Sequence, residues 1–172
     1  MNYYWIKEHE TSRNIIQPQL PGTSQIWAEK KPLLIKGSVV GVNENIRFLS
    51  FYQAVAMSKA FLITTCLWNI WNEAQRVGRF RPCAFGYIPK RDIRPYMLIM
   101  PTILEALHED TEYFKNGDIR RICLKNSKIG SYKVFAVRGE VQISVIVAED
   151  VLEETFRNGI TDFRYEQIDR KE

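Results

Sequence analysis

Between Arg76 and Tyr96 six cations, Arg76, Arg79, Arg81, Lys90, Arg91 and Arg94, interleave with the rings of Phe80, Phe85, Tyr87 and Tyr96. Arginines and aromatic rings carry much of the binding energy at protein interfaces, since each buries a large flat area and still offers a polar edge. The same residue types suit single-stranded nucleic acid, where bases stack on rings and cations follow phosphates. Charge balance separates the two: Glu105, Glu109, Asp110 and Glu112 follow closely and would repel a phosphate backbone. Arg79, Phe80, Arg81, Phe85, Tyr87, Lys90, Arg91 and Arg94 are therefore the expected partner-binding residues. A nucleic-acid-binding module using the basic aromatic loop 76–96 is the alternative. A third reading is a proline-rich surface loop whose charges are solvated and whose rings tuck into the core.

Catalytic chemistry is poorly supplied. There are two histidines, His9 and His108, far apart in sequence. A catalytic imidazole needs an acid or nucleophile beside it, and His108, next to Glu109 and Asp110 in a helical pattern, reads as a solvated face residue. Cys66, Cys83 and Cys123 are widely separated and form no CxxC pair, so neither a structural zinc nor a thioredoxin-type motif is expected. Cys83 has Arg79 and Arg81 nearby and is the best candidate for an activated thiol; the competing reading is a packed one. The pairs Glu109-Asp110, Glu149-Asp150 and Glu153-Glu154 are sequence neighbours, which on a helix do not face each other. Gly37 and Gly41 lack the spacing and the following Lys-Ser/Thr of a phosphate-binding loop. The expectation is a protein that is not an enzyme, with no catalytic residue, no metal and no cofactor.

The elements that must position these residues belong to a chain of ordinary globular make-up. At 172 residues, 45% hydrophobic and 26% charged, it can bury a sizeable core as a single domain over residues 1–172. The net charge of +4 is uneven, about +6 over residues 1–90 and about −2 beyond, which favours an acidic partner. Met1–Glu10 lacks the basic start and apolar run of a secretory signal. The longest apolar stretch, Ala60–Leu67, is too short to span a bilayer. With no disulfide framework evident, the expected setting is the cytoplasm, away from any membrane.

Strands are expected near residues 1–7 and Pro32–Lys36, with a loop over Thr11–Ser24. Phe48, Phe51, Tyr52, Val55 and Ala56, followed by Trp68, Trp71, Ala74 and Gln75, recur at helical spacing. They predict a helix from about Ile46 to a stop at Gly78, or two elements with a break near Ser58. Arg79–Pro95, with three prolines, reads as irregular. Tyr96–Met100 reads as a strand, and Pro101 as the first turn of a helix carrying Ile103, Leu104, Leu107 and Phe114 and closed by Asn116-Gly117. Ile119–Leu124 and Tyr132–Val137 are further strands.

The clearest local pattern is C-terminal. Val141–Val147 is rich in β-branched residues. Glu149 and Asp150 suit the positive end of a helix dipole, and Val151, Leu152, Thr155 and Phe156 form a stripe at helical spacing. Asn158-Gly159 is a stop, after which Ile160, Phe163 and Tyr165 begin a second strand. The fold class expected is α+β, with a mixed or antiparallel sheet packed with a few helices and a C-terminal strand–helix–strand unit. Phe135, Val137, Gly139, Val147, Glu149, Leu152, Gly159, Ile160, Thr161, Phe163 and Tyr165, extended upstream to Ile129-Gly130, together resemble the C-terminal half of a family of bacterial immunity proteins encoded beside polymorphic toxins. The resemblance covers about residues 120–167 and is made of structural residues. It implies a small cytoplasmic protein that neutralises a cognate toxin domain by binding it.

Overall fold

The computed structural model describes residues 1–10, 14–20, 27, 32–40, 45–53 and 60–172. In chain order the first half contains β1 (Tyr3–Glu8), β2 (Gln17–Gln19), β3 (Leu33–Ser38), β4 (Phe51–Gln53), β5 (Phe61–Thr64), α1 (Thr65–Ala74), β6 (Arg79–Tyr87) and β7 (Asp92–Met100). The second half contains β8 (Glu112–Tyr113), β9 (Ile119–Arg121), β10 (Cys123–Lys125), the single turn α2 (Asn126–Ile129), β11 (Val134–Arg138), β12 (Ile143–Ala148), α3 (Glu149–Arg157), β13 (Phe163–Gln167) and β14 (Asp169–Lys171). The fold is α+β, mostly sheet with few helices.

Two larger sheets share one core. An antiparallel sheet has the order β11-β12-β1-β13, with the first strand held between two strands from the end of the chain. A mixed six-stranded sheet has the order β2-β3-β6-β7-β5-β4, in which only β3 and β6 run parallel. Phe51, Phe61, Ile63, Met97 and Ile99 of the mixed sheet enter the same cluster as Tyr3, Ile6, Val145 and Val147, joined there by Leu67 and Trp71 of α1 and by Val151 and Leu152 of α3. The other face of the mixed sheet carries a second cluster of Ile35, Tyr52, Leu62, Phe85, Tyr96 and Leu98, covered by Ile15, Ile16, Phe48 and Leu49.

The C-terminal unit forms as its markers predict. β12 is buried along its length, Glu149 and Asp150 occupy the first turn of α3, and Gly159 adopts φ +76° directly after the Asn158 cap. The strands at Tyr3–Glu8, Leu33–Ser38 and within Tyr96–Met100 are likewise as expected.

The long helix over 46–78 is corrected. Phe51–Gln53 and Phe61–Thr64 are strands, and only Thr65–Ala74 is helical; residues 54–59 lie outside the described set. Phe61 and Ile63 point into one core and Leu62 into the other. A strand buried on both faces has no polar alternation, so its apolar run imitates a helix segment. The helix starts where Thr64 accepts the Leu67 N–H on its side-chain oxygen at 3.3 Å, an N-cap. It ends at Gln75, so Gly78 is not its stop. Gly78, at φ +28°, instead lets the chain pass the backbone of Met100, whose carbonyl oxygen would lie 2.1 Å from a Cβ there.

Three further expectations fail. Arg79–Pro95 is not irregular; it forms most of the β6–β7 hairpin, paired from Arg79↔Met100 to Tyr87↔Asp92. Pro82 lies just before the β3 pairing begins at Cys83, and Pro95 just beyond the β5 pairing that ends at Tyr96. Each proline therefore sits where its strand has a neighbour on one side only and its missing N–H costs no ladder bond. The segment after Pro101 is not a helix, because its backbone groups are committed elsewhere. The Leu104 N–H donates to Ala136 O, the His108 N–H donates to Cys123 O, and Ala106 O accepts from the Lys125 N–H. Asn116-Gly117 lies in the β8–β9 turn rather than at a helix end. β2 falls inside the stretch expected to be loop, Thr11–Ser24, of which residues 11–13 and 21–24 are outside the described set.

Candidate protein-binding surface

The register of the hairpin divides the expected partner-binding residues between two faces and a tip. Arg79, Arg81, Phe85, Tyr87 and Arg94 share the face of the second core, because the strand repeat of two puts alternate residues together and Phe85 pairs with Arg94. Phe85 is fully buried and packs at 5.1–5.4 Å against Phe48, Tyr52 and Tyr96, so it is a core residue and not a contact residue. Arg94 donates from Nη2 to Asp92 Oδ2 at 2.9 Å and lies 4.3 Å from the Phe48 ring centroid, which commits its guanidinium to the fold. Arg79 is likewise stacked on Trp27, at 4.8 Å. Tyr87 is half-buried against the second core. Phe80 points the other way, toward α1, where its ring meets Trp68 at 5.1 Å and stays 40% exposed. Lys90 and Arg91 are exposed at the tip, in the turn between the strands.

The face opposite the second core presents a different set, which the spacing did not point to. One row across three strands is Leu34, Ala84 and Pro95, and the next is Lys36, Gly86 and Ile93. Pro82 and Phe80 continue the same face along β6. Among the described residues α1 meets this face at Phe80, near the start of the hairpin, and Leu34, Pro82, Ile93 and Pro95 are exposed beyond it. Leu34 is 45% exposed and Ile93 53%, values that leave two aliphatic side chains in water beside the exposed Pro82 and Pro95. Ile88, at the turn, extends the apolar edge. Lys36, Lys90 and Arg91 border it. An apolar strip on a sheet face with cations at its edge is an arrangement suited to a partner with apolar residues flanked by acids. These residues were missed because Leu34, Ala84, Ile93 and Pro95 become neighbours only once β3, β6 and β7 are paired.

Cys83, the candidate for an activated thiol, packs against the second core. Burial pushes its thiol up to about 12, outweighing the nearby Arg81. It is a protonated, packed thiol at neutral pH, so Cys83 lacks the premise of a nucleophile. His108, Asp110 and Cys123 come together although the sequence offered no metal-ligand spacing: their donor atoms lie within 4.8 Å of one another. Asp110 also pairs with Lys171 of β14. Among the described residues no helix is long and apolar enough to cross a membrane. Comparison with protein-family models and with curated proteins gives no match to this chain.

Proposed function

We propose that this chain is a bacterial immunity protein that binds and neutralises a cognate toxin domain in the cytoplasm, using the open face of β3, β6 and β7 as its contact surface. The observation that carries the binding reading is the exposed strip of Leu34, Pro82, Ile93 and Pro95 bordered by Lys36, Lys90 and Arg91. Burial of such a strip supplies affinity, and the cations steer an acidic partner toward it. The same cations oppose a second copy of the chain facing its own patch. The toxin itself enters through the resemblance of residues 120–167, whose strand–helix–strand unit is part of the shared core.

The test is binding and rescue with the toxin domain encoded beside the gene. Leu34→Asp and Ile93→Asp are each expected to weaken binding at least tenfold, as removal of a central interface contact typically costs about 2 kcal/mol, with thermal stability unchanged. Normal affinity in both variants would remove the proposed surface. A loss confined to Arg81→Ala or Tyr87→Ala would move the contact to the opposite face. Failure of the wild-type chain to bind the toxin domain or rescue growth would sink the immunity reading. Retention of single-stranded DNA with a steep fall in added salt would favour the nucleic-acid alternative instead.

A further inference from the structure

The cluster of His108, Asp110 and Cys123 lies away from the open sheet face, where the segment following β7 crosses β10. Leu107 bridges Leu124, and the His108 N–H donates to Cys123 O at 2.9 Å, so the backbone fixes the two chains side by side. Thr111 ties the same crossing from the other end, its hydroxyl donating to Cys123 O at 2.9 Å and accepting the Cys123 N–H at 3.2 Å. Three donor types therefore converge on a rigid frame: an imidazole nitrogen, a carboxylate oxygen and a buried sulfur.

His108 Nδ1 accepts the Asp110 backbone N–H at 3.1 Å, so its lone pair faces the turn that carries Asp110, and a metal bound there takes the place of that hydrogen bond. Asp110 Oδ2 lies 3.5 Å from that Nδ1. In a tetrahedral site with metal–ligand distances of about 2.0–2.3 Å, ligand atoms sit roughly 3.5 Å apart, so the nitrogen–oxygen edge already has the required length. The sulfur lies within 4.8 Å of both other donor atoms, and burial holds its proton on, so a metal must displace that proton to bind it. What sits at the carboxylate is a cation: Lys171, near the end of β14, pairs with Asp110. β14 runs parallel to β10, with Cys123 opposite Asp169 and Lys125 opposite Lys171.

We infer that His108, Asp110 and Cys123 form a binding site for a zinc-class divalent cation, at which the Lys171 ammonium and the metal are alternatives. Mixed nitrogen, sulfur and oxygen donors select zinc or cobalt over magnesium or calcium, which prefer oxygen alone. Three protein ligands leave a fourth position, which the half-exposed side of Asp110 opens to water. Because metal entry displaces Lys171 from Asp110, occupancy and the side-chain tie between β14 and Asp110 oppose each other. This site is independent of the toxin-binding reading.

The test uses the full-length chain titrated with Co²⁺, followed by Zn²⁺ competition. A sulfur-to-cobalt charge-transfer band with four-coordinate visible absorption is expected at one equivalent. His108→Ala and Asp110→Asn, which keep the thiol, should each weaken binding about tenfold or more, and Cys123→Ser should abolish the charge-transfer band. Lys171→Met should act in the opposite sense, tightening Co²⁺ about two- to fivefold by removing the competing exposed ion pair. Absence of a thiolate band, an affinity unchanged in His108→Ala and Asp110→Asn, or an unchanged or weaker affinity in Lys171→Met would each overturn the assignment.

Discussion

Cys66 is exposed on α1, whereas Cys83 and Cys123 lie within strands β6 and β10 and are at least partly buried. Burial drives the Cys83 thiol up to about 12, so at pH 8 it is almost wholly protonated. Iodoacetamide at that pH should label Cys66 first, with Cys83 at least about a hundredfold slower. Equal labelling of the two, mapped by peptide mass, would contradict this packing. Glycine positions offer a second comparison. Gly159 has φ +76° with nothing within 4 Å of where a Cβ would stand, so Gly159→Ala carries only the left-handed backbone cost, about 1–2 kcal/mol, and the β-branched Gly159→Val more. Gly78→Ala meets the Met100 carbonyl as well and should cost more; urea midpoints in the reverse order would refute this reading of the two turns. At this scale the sequence showed residue types but not their directions. Phe80 and Phe85 looked equivalent in a basic aromatic stretch, yet strand register sends one to the edge of α1 and the other into the core.

Local markers explain which elements were legible. α3 and its flanking strands could be read because acids, an amphipathic stripe and Asn158-Gly159 all lie within a few residues of the feature they specify. The hairpin and the segment after Pro101 could not, since their conformation depends on partners remote in the chain. Pro82 and Pro95 break a strand only if both of its sides are paired, and no local pattern says how far β3 and β5 extend. Thr64 is a capping residue set inside the apolar run Ala60–Leu67, so its cap is masked by the residues around it. Its side-chain oxygen holds the Leu67 N–H, so Thr64→Ala should lose about 1 kcal/mol, whereas Thr64→Ser should retain most of it. Equal losses for both would mean that the methyl group, not the cap, is what the site uses.

The two larger sheets meet at Trp71, which is buried in the shared core against Phe51 and donates its indole N–H to Thr155 Oγ1 at 3.3 Å. Thr155 in turn donates to Val151 O, so one ring connects the mixed sheet, α1 and α3. Trp71→Ala should cost about 3–5 kcal/mol through loss of the buried ring and the cavity it leaves. Because both sheets contribute to that core, tryptophan fluorescence and far-ultraviolet circular dichroism should report a single coincident transition. Separate midpoints would show that the sheets unfold independently.

β1 occupies the middle of its sheet, yet both neighbours, β12 and β13, are made at least about 135 residues later. At a synthesis rate of roughly 5–20 residues per second, Tyr3–Glu8 spends some 7–30 s without its pairing strands as the chain emerges from the ribosome. During that interval Tyr3, Trp5 and Ile6 have no sheet to enter, which makes this segment a natural client for chaperones. A transcript broken before Ile143 would release a product unable to close this sheet, and its expected fate is degradation rather than partial activity.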